Sequence, residues 1–190
     1  PEEPETITGT FTGATYNVDG LPAKVLGFIT LNGDGPGSDG TKAISQKIAT
    51  SGWDIVTFQE NFTYNSELES AMKSYYTFGT HRKFELLKAL GTADTDGLGF
   101  ATLNSTCSFS DEDESWWAFT EKYGSLTKGA DENLKKGIRH YVVTLKNDTN
   151  VVIDVLVTHM NTADNDAQIA AQNGQLQEVA AYINSIRSNK

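Results

Sequence analysis

Two β-branched runs near the end of the chain, Ile138–Leu145 and Val151–Thr158, restrict its possible folds more than any other feature. Between them lies Lys146-Asn147-Asp148-Thr149-Asn150, which has the composition of a hairpin turn. The pair therefore predicts antiparallel neighbours. Upstream, strand-like and helix-like stretches are interspersed. Ile7–Val18 reads as a strand ending in the turn Asp19-Gly20-Leu21-Pro22, and Val25–Leu31 as a short apolar strand. Asp39 or Thr41 is placed to cap a helix reaching Ser51, with Ile44 and Ile48 one turn apart. Asp54–Phe58 and Gly97–Leu103 read as strands, and Ser66–Tyr75 as a helix with Leu68 and Met72 on one face. Gln168–Ile186 is the strongest helix, with Leu176, Val179, Ala180 and Ile183 on one stripe. This mixture predicts an α+β (α/β) fold, a mixed sheet covered by helices rather than a regular βαβ array.

The chain has 190 residues, 38% of them apolar and 21% charged, enough for one globular domain with a real core. No apolar run approaches the ~20 residues of a membrane helix. Residues 1–8, opening on Pro1-Glu2-Glu3-Pro4-Glu5, read as a linker or processed stub, which suggests export to a periplasmic, cell-surface or secreted location. Residues 9–190 read as the domain. A formal net charge of −10 argues against a passive nucleic-acid-binding module, which relies on basic surface. It leaves room for an enzyme of phosphate esters in which a bound divalent cation supplies the positive charge locally. The single cysteine, Cys107, excludes an internal disulfide and reads as a small buried apolar residue. Asp111-Glu112-Asp113-Glu114 reads as a solvated loop, and Trp116-Trp117 as core or edge cover.

Three strand ends carry polar residues that their strands do not need. Tyr16-Asn17-Val18 closes the first, Gln59-Glu60 the third, and Thr158-His159-Met160-Asn161 the last. Should these strands share a sheet, Asn17, Glu60 and His159 meet at one rim. Glu60 then suits a hard cation such as Mg²⁺, which takes oxygen ligands. Asn17 suits a phosphate oxygen or a metal-bound water, and His159 suits a developing phosphorane as donor. Each residue also has an ordinary structural reading: a solvated terminus for Glu60, turn chemistry for Asn17, a packing role for His159. Paired carboxylates for acid–base hydrolysis, Asp94 with Asp96 or Asp164 with Asp166, are ordinary loop composition.

At these residues the chain resembles the endonuclease/exonuclease/phosphatase superfamily. "ATYNVDGLP" resembles its first motif, an Asn after the first core strand. "DIVTFQENF" resembles its second, in which a strand ends on Gln-Glu and the Glu binds Mg²⁺. "LKKGIRHYVVTL" with "IDVLVTHMNTADN" is similar to the paired strands before its catalytic His. Within the superfamily the bacterial neutral sphingomyelinase type is nearest, through Lys136-Gly137, Thr158-His159-Met160-Asn161 and Gln175-Leu176. The resemblance implies a DNase-I-like four-layer αββα sandwich. It implies His159 and Asn17 as catalytic, Glu60 and Asn17 as metal ligands, and Lys136 and Asn161 on the substrate phosphate. The cofactor it implies is Mg²⁺, or Mn²⁺ or Ca²⁺ in its place. A further carboxylate that orients the His in some members would fall to Asp94 or Asp96.

Superfamily members continue with a Gly-Asp-x-Asn motif and then a Ser-Asp-His motif, and this chain has neither. The resemblance therefore likens it to the N-terminal half of the domain, with one sheet and an apolar sheet face left bare. The function expected is metal-dependent phosphoester hydrolysis by in-line water attack, in a site completed by residues from elsewhere, such as a second polypeptide, with the chain alone inactive. Candidate substrates are nucleic acid, a phospholipid headgroup or a small phosphoester. The alternative is a non-catalytic binding module that uses Trp116-Trp117 and the acidic run as its contact surface.

Overall fold

The late hairpin forms as its sequence predicts. In the computed structural model, Gly137–Leu145 and Val152–Thr158 pair antiparallel, with Ile138 opposite Thr158 and Thr144 opposite Val152. The structure describes residues 9–25, 29–30, 32–83, 95–110, 113–121 and 134–188. The expected linker at 1–8, Asp94, Asp111 and Glu112 lie outside these. In chain order the elements are β1 (Gly13–Asn17), β2 (Lys24–Val25), β3 (Ile29–Thr30), α1 (Gly37–Ala49), β4 (Ile55–Gln59), α2 (Asn65–Met72), β5 (Tyr76–Phe78), β6 (Gly99–Leu103), β7 (Cys107–Ser108), β8 (Glu114–Ala118), β9 (Gly137–Leu145), β10 (Val152–Thr158) and α3 (Asp166–Ser188).

Two four-stranded sheets face each other. The first has the order β1-β4-β6-β5, mixed because β1 runs parallel to β4 while β6 opposes both its neighbours. The second is antiparallel, with β9 between β10 on one side and β7 and β8 on the other. Strand alternation explains the layering. On β4, Ile55 points to the second sheet, while Val56 and Phe58 point the other way onto Ile48 of α1 and Leu68 and Met72 of α2. On β9, Tyr141, Val143 and Leu145 fill the space between the sheets, and Tyr141 stacks on Phe100 at 3.8 Å. Ile138, on the opposite face of β9, packs with Phe119 against Tyr182 of α3. The result is helix, sheet, sheet, helix, with Cys107 buried among the inter-sheet residues.

Several expectations need correction. Neither Asp39 nor Thr41 caps α1: Pro36 precedes it, and the Thr41 hydroxyl donates back to the Gly37 carbonyl from inside the helix. Val25–Leu31 is not one strand, since Lys24–Val25 turns back on Ile29–Thr30. Glu114 is no part of a solvated loop; it opens β8 and is drawn inward by a buried arginine. The stripe on α3 is split: Val179 packs against Phe119, Ile138 and Tyr182, and the rest of it does not. An apolar stripe ordinarily marks the face a helix buries, yet α3 buries Ala171, Gln175 and Tyr182 and leaves Leu176 and Ile183 exposed.

Nor is a whole sheet face bare, because this chain supplies strands to both sheets and covers each with the other. What stays open is one side of the sandwich, between edge strands β1 and β10. There a cleft of ≈ 370 Å³ is lined by Phe11, Ala14, Ile55, Ile153, Val155 and Leu156 among others.

Candidate functional site

Parallel pairing of β1 with β4 sets Asn17 opposite Gln59, so the two strands end side by side and Glu60 follows one residue on. The turns that leave them are tied together. Val18 N–H donates to the Gln59 carbonyl and Gly20 N–H to the Glu60 carbonyl, each at 2.9 Å. Only glycine fits at position 20, because a Cβ there would lie 2.6 Å from that Glu60 oxygen. Glu60 itself has φ +55° and Asp19 has φ +47°, the two positive-φ non-glycine residues among the described residues. Left-handed backbone costs an ordinary residue roughly 1 kcal/mol or more and concentrates at functional sites.

The twist aims the Glu60 carboxylate at Asn17. Asn17 Nδ2 donates to Glu60 Oε1 at 2.8 Å, while Asn17 Oδ1 accepts from Asp19 N–H at 2.9 Å. The side chain of Asn32 donates to Asp19 Oδ1 at 2.5 Å and steadies the turn. His159, one residue past β10, brings Nε2 to 3.8 Å from Glu60 Oε1. That is beyond hydrogen-bond reach but close enough for charge attraction when the imidazole is protonated. Asn17, Glu60 and His159 thus converge at one rim, from two different sheets.

Lys136 and Asn161 are placed differently. Lys136 is buried and its ammonium donates to the Met160 carbonyl at 3.2 Å, directly beneath the His159 loop. Asn161 is buried and locked onto Gln175 of α3: its N–H donates to Gln175 Oε1 at 2.9 Å, and Gln175 Nε2 donates to its Oδ1 at 2.5 Å. Gln172 adds a bond to the Asn161 carbonyl. In this geometry Asn161 anchors the loop that presents His159, with its amide engaged by the helix.

Behind the rim lies a buried charge cluster. Arg139 Nε donates to Asp96 Oδ2 at 2.7 Å, and its Nη1 to Glu114 and to the Thr80 carbonyl at 2.6 Å. Asp96 Oδ1 accepts from Leu98 N–H at 3.0 Å. Asp96 is therefore spent on Arg139, and the structure does not bring it to His159. Burial alone would lower the arginine pKa, but the Asp96 carboxylate outweighs it and holds the charge firmly. Burial pushes the nearby Tyr141 hydroxyl upward. Asp164 and Asp166 sit exposed at the start of α3.

His81 was not marked by the sequence. Its Nε2 lies 2.9 Å from the Asn61 carbonyl, next to Glu60. Burial pushes its pKa below 6.5, partly offset by that bond and by Glu69 and Asp96. The unfolded chain then binds more protons than the folded one at mildly acid pH, so stability falls as pH drops below about 6.5. His81→Gln is expected to flatten that slope in thermal unfolding midpoints measured against pH. An unchanged slope would assign the acid sensitivity to other groups.

The donor set fits a hard cation. Mg²⁺ commonly takes one or two carboxylates and completes its shell with water and substrate oxygens. Both contacts to Glu60 fall on Oε1, and among the described residues none falls on Oε2. No group of three or more His, Cys, Asp or Glu forms a closed cage among the described residues. A one-carboxylate, water-rich site is what these residues can build.

No protein-family model and no curated protein sequence matches the chain. Solved structures do. TDP2 of D. rerio, complexed with single-stranded DNA product, is 17% identical with a TM-score of 0.59, covering 92% of this chain and 54% of that one. An endonuclease/exonuclease/phosphatase family protein from Bacteroides thetaiotaomicron is 16% identical with a TM-score of 0.60, covering 92% and 59%. The human Nocturnin catalytic domain with bound sulfate is 15% identical with a TM-score of 0.50, covering 76% and 51%. The chain thus spans little more than half the length of these proteins. With its two facing sheets and outer helices, it has the DNase-I-like sandwich fold found in endonuclease/exonuclease/phosphatase proteins.

Proposed function

We propose that this chain carries the first part of a metal-dependent phosphoesterase active site, completed by residues outside the chain. The observation that carries this reading is the convergence of Asn17, Glu60 and His159 at one rim, with Glu60 held in left-handed backbone. Glu60 would hold the cation, with Asn17 fixing the carboxylate and offering its amide oxygen. A bound divalent cation supplies positive charge against the phosphate and the leaving oxygen. His159 donates a hydrogen bond to a non-bridging phosphate oxygen as charge gathers there. Lys136 acts on the phosphate through its hold on the Met160 carbonyl, and Asn161 through the loop it anchors.

Hydrolysis forms a bond from water oxygen to phosphorus and breaks the bond to the leaving oxygen, which takes up a proton. The groups that activate that water would come from the missing part of the sandwich, seated along β1 and β10. The cleft lined by Phe11, Ile55 and Val155 supports that placement. Among substrates, the DNA product held by the TDP2 relative favours a nucleic-acid phosphoester over a phospholipid headgroup. The sphingomyelinase-type likeness rests on Lys136-Gly137, Thr158-His159-Met160-Asn161 and Gln175-Leu176.

The test is hydrolysis of bis-p-nitrophenyl phosphate and of a 5′-phosphorylated oligonucleotide by the protein that contains this chain, with and without Mg²⁺. Turnover that needs the cation and drops about 10³-fold in Glu60→Ala and in His159→Ala is expected. Equal rates in both folded variants would remove these roles, and absence of any hydrolysis would favour the binding-module reading.

A further inference from the structure

The exposed stripe on α3 carries information that the catalytic reading does not use. Ile169, Leu176 and Ile183 are 41%, 49% and 36% exposed, and they recur every seven residues. Seven residues are close to two helical turns, so the three side chains line up along one face. Asn173 and Ala180 fall between them, also exposed, which completes the alternating three- and four-residue spacing of a coiled-coil seam. The seam holds no charge. Glu178, the acid nearest its middle, turns its carboxylate away to accept from Thr120 and Glu121 N–H at 2.8–3.0 Å.

We infer that this face of α3 pairs with the same face of a second copy, antiparallel, with the two-fold axis beside Leu176. The pattern is self-complementary in that register. Ile169 and Ile183 lie equally far from Leu176 on either side, so each meets the other across the axis while Leu176 meets Leu176. Ala180 is small enough to admit Asn173 of the opposite copy. The two ends carry opposite charge, Asp166 in the first turn and Arg187 in the last. Antiparallel pairing brings Asp166 of one copy beside Arg187 of the other, at both ends. A parallel pair would set like charges together instead. With a net charge of −10 two copies repel over most of their surface, and this uncharged strip with paired ends is where they can approach. This inference stands apart from the phosphoesterase reading.

The experiment is sedimentation equilibrium at about 100 μM, with crosslinking beside it. The expected result is a species of twice the mass of one copy. Leu176→Glu, at a surface position, should return it to the single mass with an unchanged circular dichroism spectrum. Asp166→Arg should weaken association about tenfold, and adding Arg187→Asp should restore it. Leu176→Cys should form a disulfide-linked dimer on mild oxidation, while exposed Lys73→Cys just past α2 and the wild type, whose Cys107 is buried, should not. A single mass at that concentration would overturn the inference. So would a dimer that tolerates Leu176→Glu, which would point to the open side between β1 and β10, or to a further part of the polypeptide covering α3.

Discussion

Arg139→Ala is expected to destabilise the fold by about 3–5 kcal/mol, a large fraction of the roughly 5–15 kcal/mol that holds an ordinary domain together. The reason is what the substitution leaves behind. The side chains of Arg139 and Asp96 are 2% and 1% exposed, and Glu114 is mostly covered. Two carboxylates and the Thr80 carbonyl share one guanidinium. Without it both carboxylates lie in the sandwich uncompensated, and each must take up a proton or pull in water. Arg139→Lys should recover only part of the loss, since one ammonium cannot match the planar fork. Asp96→Asn should cost less than Arg139→Ala, because Glu114 still balances the arginine. Urea unfolding of the three variants gives the ranking. A loss under about 1 kcal/mol for Arg139→Ala would mean that the cluster is solvated and adds little.

Glu60→Gly should separate stability from chemistry. Glycine adopts φ +55° without the cost Glu60 pays, although it also frees the unfolded chain. These effects oppose each other at about 1 kcal/mol each, so the unfolding midpoint should move by only a few degrees. Hydrolysis by the protein that contains the chain should nonetheless fall at least 10³-fold, because the carboxylate is gone. A large drop in stability instead would show that Glu60 is kept for the hydrogen bond it accepts from Asn17, and the catalytic assignment would lose its main support.

The parts of this structure readable in the sequence are those where one local pattern dominates. The β9–β10 hairpin, α2 with Leu68 and Met72, and β4 with its Gln-Glu end follow from period and turn chemistry. The Asn17, Glu60 and His159 positions stood out because polar residues ended apolar runs. What remained hidden depends on distant partners. Glu114 looked solvated until Arg139 drew it in, and Arg139 itself interrupts an apolar run with no local sign of its role. The resemblance assigns Asn161 to the substrate phosphate, and no local pattern announced the two hydrogen bonds that tie it to Gln175. The α3 stripe misled because a helix can bury Gln175 and Tyr182 when each finds a hydrogen bond, leaving the more apolar stripe outward.

The β1–α1–β4 crossover has a kinetic consequence. Asn17 and Glu60 are 43 residues apart and meet only across a parallel strand pair. Such pairing closes a long loop before its contacts repay the entropy, and it is among the slower steps available to a chain. The left-handed turn at Glu60 also has no support until Gly20 docks onto its carbonyl. With Glu60 in its proposed role as cation ligand, affinity for the cation is expected to appear late in refolding, after the hairpin and helix signals, and all at once. In a refolding time course, a metal-sensitive probe would serve as a clock for the closing of the first sheet.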